Sequence, residues 1–192
     1  MKKVLIAILL AFFVVSNANA NNYYLKFGTG FSLGIVDVEE KFSYQGYIYE
    51  DSYDLTENDF PVFSIGIGRE VNNFDYSLNL KTKKFDTGLD NIKVKTLSFD
   101  INYLFRHNTT LTPYLGIGLN ANKFKTTSDG YDLGKKNTVS FSYRIGARKN
   151  LNEKLMLDFN IEHFTKTDCF RKYGISGEYQ DITANLSLLF KF

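Results

Sequence analysis

The stretch ITANLSLLFKF, residues 182–192, alternates between apolar and polar side chains and predicts an amphipathic β-strand at the end of the chain. Leu189 is the one apolar side chain on its polar face. A strand at the edge of a sheet exposes a row of unpaired backbone groups. The stretch therefore raises the question of which strand covers its outer side. The alternating apolar positions are Ile182, Ala184, Leu186, Leu188, Phe190 and Phe192.

Earlier parts of the chain repeat this alternation. Segments of about ten residues match strands that cross a bilayer at a tilt, whereas sandwich strands usually have about five or six residues. The polar faces are rich in Gly, Ser, Asn and charge, which suits the narrow interior of an eight-stranded barrel. Seven segments precede the terminal one, and they begin at Tyr23, Phe63, Phe74, Leu97, Pro113, Val139 and Leu155.

The predicted connections alternate in length. Short turns at one rim and long loops at the other are typical of outer-membrane barrels. We therefore predict an all-β fold, an eight-stranded antiparallel up-and-down transmembrane β-barrel in which the last strand closes against the first. A periplasmic β-sandwich, with the same apolar rows as its core, is the alternative. The short connections are Glu70–Asn73, Arg106–Thr110 and Asn150–Lys154, and the long ones are Val36–Phe60, Asp86–Lys93, Lys125–Asn137 and Lys166–Tyr179.

The first twenty residues, MKKVLIAILLAFFVVSNANA, have the three parts of a secretory signal peptide. Two lysines precede an apolar run, and Ala18 and Ala20 form an A-x-A cleavage site. We expect residues 1–20 to be removed and residues 21–192 to form one barrel domain. The segment holds two of the 23 basic and none of the 21 acidic residues, so the remainder has no formal net charge. This balance does not favour a nucleic-acid partner.

The signal peptide, the eight amphipathic segments and the terminal LLFKF, residues 188–192, resemble the small eight-stranded outer-membrane proteins of Gram-negative bacteria. That group includes the barrel domain of the major outer-membrane protein A, the X-type barrels, and the opacity and surface-antigen proteins. The resemblance implies a monomer in the cell outer membrane, in contact with lipid and lipopolysaccharide. It also implies a signal for the barrel assembly machinery, which in this chain consists of Leu186, Leu188, Phe190 and Phe192.

Charged residues on the polar face predict an ion-pair network inside the barrel, because a buried charge needs partners. Arg144 and Arg148 can reach Asp158 and Glu162 on the next strand. Eight strands enclose an interior just wide enough for side chains to fill. We therefore predict a plugged lumen, with a small channel for ions or water as the alternative. The predicted network consists of Lys26, Asp75, Lys81, Asp100, Arg144, Arg148, Asp158, Glu162 and Lys191.

The first long loop combines acidic residues with Tyr44, Tyr47, Tyr49 and Tyr53. Tyrosines supply rigid contact area, as they do in paratopes, and acids supply electrostatic selectivity. The loop is therefore a hypothetical recognition surface for a host or surface ligand. A solvated acidic loop is the simpler interpretation, and the two stay open.

Little in the sequence indicates catalysis. His163-Phe164-Thr165 faintly resembles the His-x-Ser pair of outer-membrane lipid A deacylases, but Thr stands in place of Ser, and a nucleophile also needs an oriented base and a third group. We predict no enzymatic activity, with lipid A modification as a third hypothesis. We expect no cofactor and no metal. The single cysteine, Cys169, excludes an intramolecular disulfide and is expected to be free in the last long loop.

Overall fold

Eight antiparallel strands make up the protein in a computed structural model that describes residues 23–44, 47–86, 90–105, 110–128, 131–172 and 174–192. The expected signal peptide, with Ala18 and Ala20, lies outside these residues. Within the described ranges, no helix is long and apolar enough to cross a membrane. The strands are β1 (Tyr23–Tyr44), β2 (Tyr47–Val71), β3 (Phe74–Asp86), β4 (Asp90–Leu104), β5 (Leu111–Ser128), β6 (Tyr131–Asn150), β7 (Leu155–Lys172) and β8 (Ile175–Lys191).

The sheet closes on itself, as predicted. Each strand pairs with the next, and β8 pairs with β1, where Phe190 lies opposite Leu25. Beyond the last strand, the Phe192 N–H donates a hydrogen bond to the Tyr23 carbonyl over 3.0 Å. The outer side of the terminal strand is therefore covered by the first strand, which confirms the closed eight-stranded barrel.

The prediction of long loops is wrong. The segments Val36–Phe60, Asp86–Lys93, Lys125–Asn137 and Lys166–Tyr179 are largely strand, so β1 and β2 reach 22 and 25 residues and not about ten. Alternation continues through these segments, but its sense is reversed. In β1 the even positions Val36 and Val38 are apolar and buried, whereas the even positions below them are glycine or polar. The apolar face that predicts a strand in the sequence therefore ends at this reversal, and the predicted strands end there too.

The reversal divides the barrel wall into two zones. We call the end at which Tyr23 and Phe192 lie the terminal end, and the opposite end the far end. Next to the terminal end the outward side chains form an apolar belt, and beyond the belt lies a far-end extension with charged outward side chains. The belt includes Leu25, Phe27, Phe31, Leu33, Phe63, Ile65, Leu80, Leu115, Ile117, Phe141, Ile145, Phe159, Ile161, Leu186 and Phe190. The extension comprises residues 36–44, 47–60, 82–86, 90–95, 123–128, 131–137, 166–172 and 174–180.

The far-end extension has an apolar core inside the barrel wall. The rings of Phe124 and Phe164 lie 5.5 and 6.3 Å from the ring of Tyr179, both in edge-on contact. This zone is built like a soluble barrel, since its apolar side chains are removed from water by facing inward. The core consists of Val36, Val38, Phe85, Ile92, Val94, Phe124, Cys169, Phe170 and Tyr179 of the extension, together with Phe164 just below it.

A smaller apolar cluster lies inside the barrel wall at the terminal end. It consists of Tyr24, Met156 and Leu189, all of which are buried. Leu189 has the inward parity of β8, so the side chain that interrupted the polar face of the last strand belongs to this cluster. We call this cluster and the core of the far-end extension the two apolar caps, and the polar lumen lies between them.

Cys169 belongs to the core of the far-end extension and not to an exposed loop. Its thiol is free and its side chain is buried. Burial in this apolar cluster raises the pKa of the Cys169 thiol to about 12. The thiolate, which is the reactive form, is therefore suppressed at neutral pH.

We expect Cys169 in the folded barrel to resist a maleimide at pH 8, and to react fully once urea has unfolded the chain. Burial and the raised pKa both act in this direction. Mass spectrometry of the adduct over time measures the two rates. Comparable rates in the folded and unfolded protein would show that the thiol is accessible.

Phe124→Ala should loosen the far-end extension without loosening the belt, because Phe124 is fully buried in the core of the extension. Truncation of a buried Phe costs about 3–5 kcal/mol, which here acts on a locally separable zone. Hydrogen exchange should accelerate at amides of residues 92–94 and 122–127. Phe141→Ala, which removes an outward ring of the belt, is the control and should leave these amides protected. Uniform acceleration along the barrel would contradict a separate core.

The charged interior as candidate functional site

The lumen between the two apolar caps is filled with paired charges. Eight of the nine residues predicted for the network are buried in this lumen: Lys26, Asp75, Lys81, Asp100, Arg144, Arg148, Asp158 and Glu162. The ninth, Lys191, has the inward parity but is only half-buried, and no ion pair includes it within the described residues.

Arg148 holds together the layer nearest the terminal end. Its guanidinium lies 2.7 Å from Asp158 and 2.6 Å from Asp75, and a third contact of 3.2 Å reaches Glu70. The Lys26 ammonium lies 3.6 Å from the other carboxylate oxygen of Asp158. The fork of five donors on an arginine suits several carboxylates at once, which a lysine in this position would not match.

Arg144 organises a second layer, further from the terminal end. It contacts Glu162, directly opposite on β7, over 2.7 Å, and Asp100 on β4 over 3.0 Å. Lys81 on β3 reaches across the lumen and donates to both carboxylate oxygens of Glu162 over 2.7 Å. The two layers contain the Arg144–Glu162 and Arg148–Asp158 pairs, which lie within the reach expected from the sequence.

A third charged contact, absent from the predicted network, lies beneath the apolar core of the far-end extension. Lys83 contacts Asp181 over 2.6 Å and donates to the Thr183 hydroxyl over 3.0 Å, while the Tyr179 hydroxyl also donates to Asp181. Lys83 and Asp181 continue the inward parity of Lys81 and Thr183 by one step. Carrying the alternation two residues further along β3 and β8 would have identified both.

Two tyrosines complete the Arg148 layer. The Tyr24 hydroxyl donates to Asp75 over 2.5 Å and the Tyr114 hydroxyl donates to Asp158 over 3.0 Å. The two rings also lie 5.4 and 5.2 Å from the guanidinium carbon of Arg148, within cation–π range. Sequence analysis missed both residues because their polar function lies only in the hydroxyl.

Two interior glycines make room for these rings. A Cβ atom at Gly68 would overlap the ring of Tyr24, and one at Gly146 would overlap the ring of Tyr114. Each glycine is the direct cross-strand neighbour of the tyrosine that covers it. These two glycines of the polar face therefore accommodate aromatic rings.

The charged layers leave little free space around Arg144. A gap around Arg144 measures about 10 Å³, which is about one water probe. Its charged walls are already engaged with one another in the contacts given above. The arrangement holds the buried charges in paired contacts across the lumen. The gap is lined by Lys26, Ser64, Asn79, Lys81, Asp100, Arg144, Asn160, Glu162, Asn185 and Ser187.

The tyrosines predicted for a loop lie on the β1–β2 hairpin of the far-end extension. Tyr49 and Tyr53 are about half-exposed, and the Tyr53 hydroxyl donates to Glu40 over 3.1 Å. Tyr44 and Tyr47 face each other across the last described pair of the hairpin, and their side chains lie outside the described residues. The predicted recognition residues are therefore carried by a paired ribbon.

The C-terminal residues predicted as an assembly signal all point outward. Leu186, Leu188 and Phe190 belong to the apolar belt of β8, and the Phe192 ring stacks on Tyr23 with 6.3 Å between centroids. The same side chains therefore complete the belt at the seam between β1 and β8.

The pair that faintly resembled a deacylase does not form a dyad. The Thr165 hydroxyl donates to the Phe141 carbonyl over 2.9 Å and accepts from the Phe141 N–H over 3.1 Å. Its position coincides with a register shift between β7 and β8. His163 has no hydrogen-bond partner within the described ranges. These contacts give Thr165 a role in the irregular backbone pairing and leave it without an oriented base.

Comparisons with known proteins find a matching family and several solved structures with a similar fold. The profile of the family described as "Outer membrane protein beta-barrel domain" matches residues 5–192. None of the curated protein sequences matches the chain. Among solved structures, Neisserial surface protein A is similar with a TM-score of 0.65 and 13% identity, over 88% of this chain and 97% of that one.

Two further solved structures, both from Pseudomonas aeruginosa, share the fold. The outer membrane protein OprG has a TM-score of 0.54 and 12% identity, over 91% of this chain and 97% of its own. The N-terminal β-barrel domain of OprF has a TM-score of 0.50 and 15% identity, over 85% and 99%. At these identities the likeness concerns the fold alone.

Arg144→Met should destabilise the barrel by about 3–5 kcal/mol, because it leaves the buried Asp100 without its ion-pair partner and Glu162 with Lys81 alone. Lys149→Met is the matched control, since Lys149 is an exposed cation on the same strand and should change stability by less than about 0.5 kcal/mol. Urea unfolding from lipid vesicles, followed by gel mobility without boiling, measures the difference. Equal effects of the two substitutions would show that the Arg144 contacts contribute no net stability.

Proposed function

Since the chain belongs to the outer membrane protein β-barrel domain family, and is thus a barrel of the Gram-negative outer membrane, we propose that its lumen is plugged and that its role is structural or interactive. The protein in this view strengthens the membrane or presents a contact surface. It does not conduct solutes.

The filled interior is the observation that supports this proposal. Side chains from opposite walls meet across the lumen, as Lys81 of β3 meets Glu162 of β7 and Arg148 of β6 meets Asp75 of β3. Apolar clusters cap the lumen at both ends. A hydrated ion would have to separate several buried pairs at once, and breaking a buried pair is strongly unfavourable.

The far-end extension is the proposed contact surface. Counted from the apolar belt, the hairpins of the far-end extension are longer than the turns at the terminal end. In outer-membrane barrels the longer connections between membrane-crossing segments lie outside the cell, so we place the far end outside. The extension is braced by its own core and displays half-exposed Tyr49 and Tyr53 beside the Lys41–Glu50 pair, whose atoms lie 3.1 Å apart. A rigid, tyrosine-bearing ribbon suits contact with a host or surface ligand.

The outward side chains of the apolar belt suggest two further partners, the barrel assembly machinery and the membrane lipid. Leu186, Leu188, Phe190 and Phe192 are exposed to the extent of 39–63%, and we propose that the barrel assembly machinery reads this pattern before lipid covers it. Closure leaves no open strand edge, and edge pairing is a common route to association. This supports a monomeric barrel in lipid and lipopolysaccharide.

Planar bilayers that contain the folded barrel should show no conductance steps above the baseline noise. The triple variant Lys81→Ala/Arg144→Ala/Glu162→Ala removes three of the four charged side chains of the second layer and leaves Asp100. It should produce discrete steps, because three long side chains leave the lumen together. Folding of each sample is checked by heat-modifiable gel mobility. Steps from the unaltered protein would refute the plugged lumen and establish a small channel.

A further inference from the structure

A patch of exposed lysines lies on the outer wall of the far-end extension, just beyond the apolar belt. The register aligns four of them in one row across four neighbouring strands, and two more in the row beneath. Lys93 is directly opposite both Lys84 and Lys125, and Lys95 is directly opposite Lys123. This lysine patch consists of Lys84, Lys93, Lys95, Lys123, Lys125 and Lys135.

Such a register is unfavourable on its own. Side chains directly opposite in an antiparallel pair have Cβ atoms about 5 Å apart, and like charges there are destabilising. Lys84 has a counter-ion in Asp86 at 2.6 Å. Within the described residues, no ion pair includes the other five lysines. The patch therefore presents excess positive charge at one height of the barrel.

The opposite arc of the same rim is organised differently. There Lys166 lies between Asp37 and Glu178, at 2.6 and 2.8 Å, and these hydrogen bonds raise the pKa of its ammonium group. The carboxylates of that arc thus have a cation from the chain itself. The chain thus supplies counter-ions for the charges of one arc but not for the lysine patch. An anion from outside the chain would be favourable at the patch.

An apolar groove on the outer wall begins directly below the patch. It has a volume of about 680 Å³ and runs across β1 to β5. Lys95 and Lys123 line its upper edge together with Thr82, and the row beneath these residues is Leu80, Leu97 and Ala121. The groove thus combines an apolar floor with ammonium groups at one end. Its outward apolar lining consists of Phe27, Phe63, Ile65, Leu80, Leu97 and Ala121.

We propose that the lysine patch and this groove together bind one phosphorylated, acylated glycolipid of the outer leaflet, of the lipid A class. The phosphate groups would lie against Lys95, Lys123 and the row above, and an acyl chain would lie along the groove. Lysines are suited to this position, because their long stems can lie on apolar surface while the charge reaches the headgroups. A soluble anion would not use the groove, and an uncharged lipid would not use the lysines. The inference rests on the proposed placement of the far end outside the cell.

The test compares two matched double variants in phosphatidylcholine nanodiscs. Lys95→Gln/Lys123→Gln removes the two lysines that line the groove, whereas Lys149→Gln/Lys154→Gln removes two exposed lysines at the terminal end. Glutamine retains part of the stem and the polarity, and neither pair belongs to the interior network. Native mass spectrometry counts bound molecules of bisphosphorylated lipid A, of dephosphorylated lipid A and of inorganic phosphate.

The unaltered barrel and the terminal-end variant should bind bisphosphorylated lipid A equally well. The groove variant should bind it about thirtyfold more weakly, given the contribution of two lysines at an anionic surface. Dephosphorylated lipid A and inorganic phosphate should bind weakly to all three proteins. Raising the salt concentration should weaken the binding of bisphosphorylated lipid A but not that of dephosphorylated lipid A.

Equal binding by the two double variants would overturn the proposal. Tight binding of inorganic phosphate would indicate a soluble anion, and tight binding of dephosphorylated lipid A would indicate the groove alone, and either result would also overturn it. Conductance of the same preparations separates this result from the proposed function, because a silent barrel that fails to bind lipid A still has a plugged lumen.

Discussion

The pairing of β8 with β1 is the constraint on which the rest of the structure depends. In lipid there is no water to satisfy an open strand edge, so every backbone N–H and C=O must find its partner within the wall. Closure of eight strands meets this requirement with the terminal Phe192 bonded back to Tyr23. It also sets the width of the interior, which is narrow enough for side chains from opposite walls to touch.

Because the interior is narrow, the charged side chains that face inward must pair with charges of opposite sign. Any charged side chain that faces inward loses its water, and the loss is tolerable only with partners. Arg144 and Arg148 solve this with several carboxylates each, and Tyr24 and Tyr114 add hydrogen bonds and rings. The same contacts that stabilise the folded barrel therefore join side chains across its lumen, so the stability of the barrel and the proposed plug have one physical origin.

The outer wall faces two different surroundings. Along the belt apolar side chains point outward, and in the far-end extension Val36, Phe85 and Phe124 point inward while lysines and acids point outward. Each strand runs through both zones, with register shifts near the boundary, between β1 and β2 and between β7 and β8. The change in which side chains face outward thus depends on the order of residues and on these irregularities. The height of this change marks the place where the surroundings change from apolar to aqueous, and the lysine patch lies directly on this boundary.

Much of the architecture could be predicted from the sequence, and the lumen in part. Period-two alternation is a local property of the chain, so the number of strands, the outward face and the inward parity of residues such as Lys26 and Glu162 could be assigned without coordinates. The ends of the strands could not, because the alternation changes sense at Val36 and apolar residues then mark the interior. Glu70 was assigned to a turn, although it lies near the end of β2, keeps the inward parity of Gly66 and Gly68, and contacts Arg148.

The sequence by itself determined a closed amphipathic barrel, since the alternation of its side chains is compatible with few other folds and its last strand needs the first. The tertiary structure decided which charges meet. Lys81 pairs with Glu162 from strands that are not neighbours, and Arg148 joins residues from β2, β3 and β7. Such contacts depend on the register and cross-section of the closed wall, which are set by all eight strands together and by no single segment.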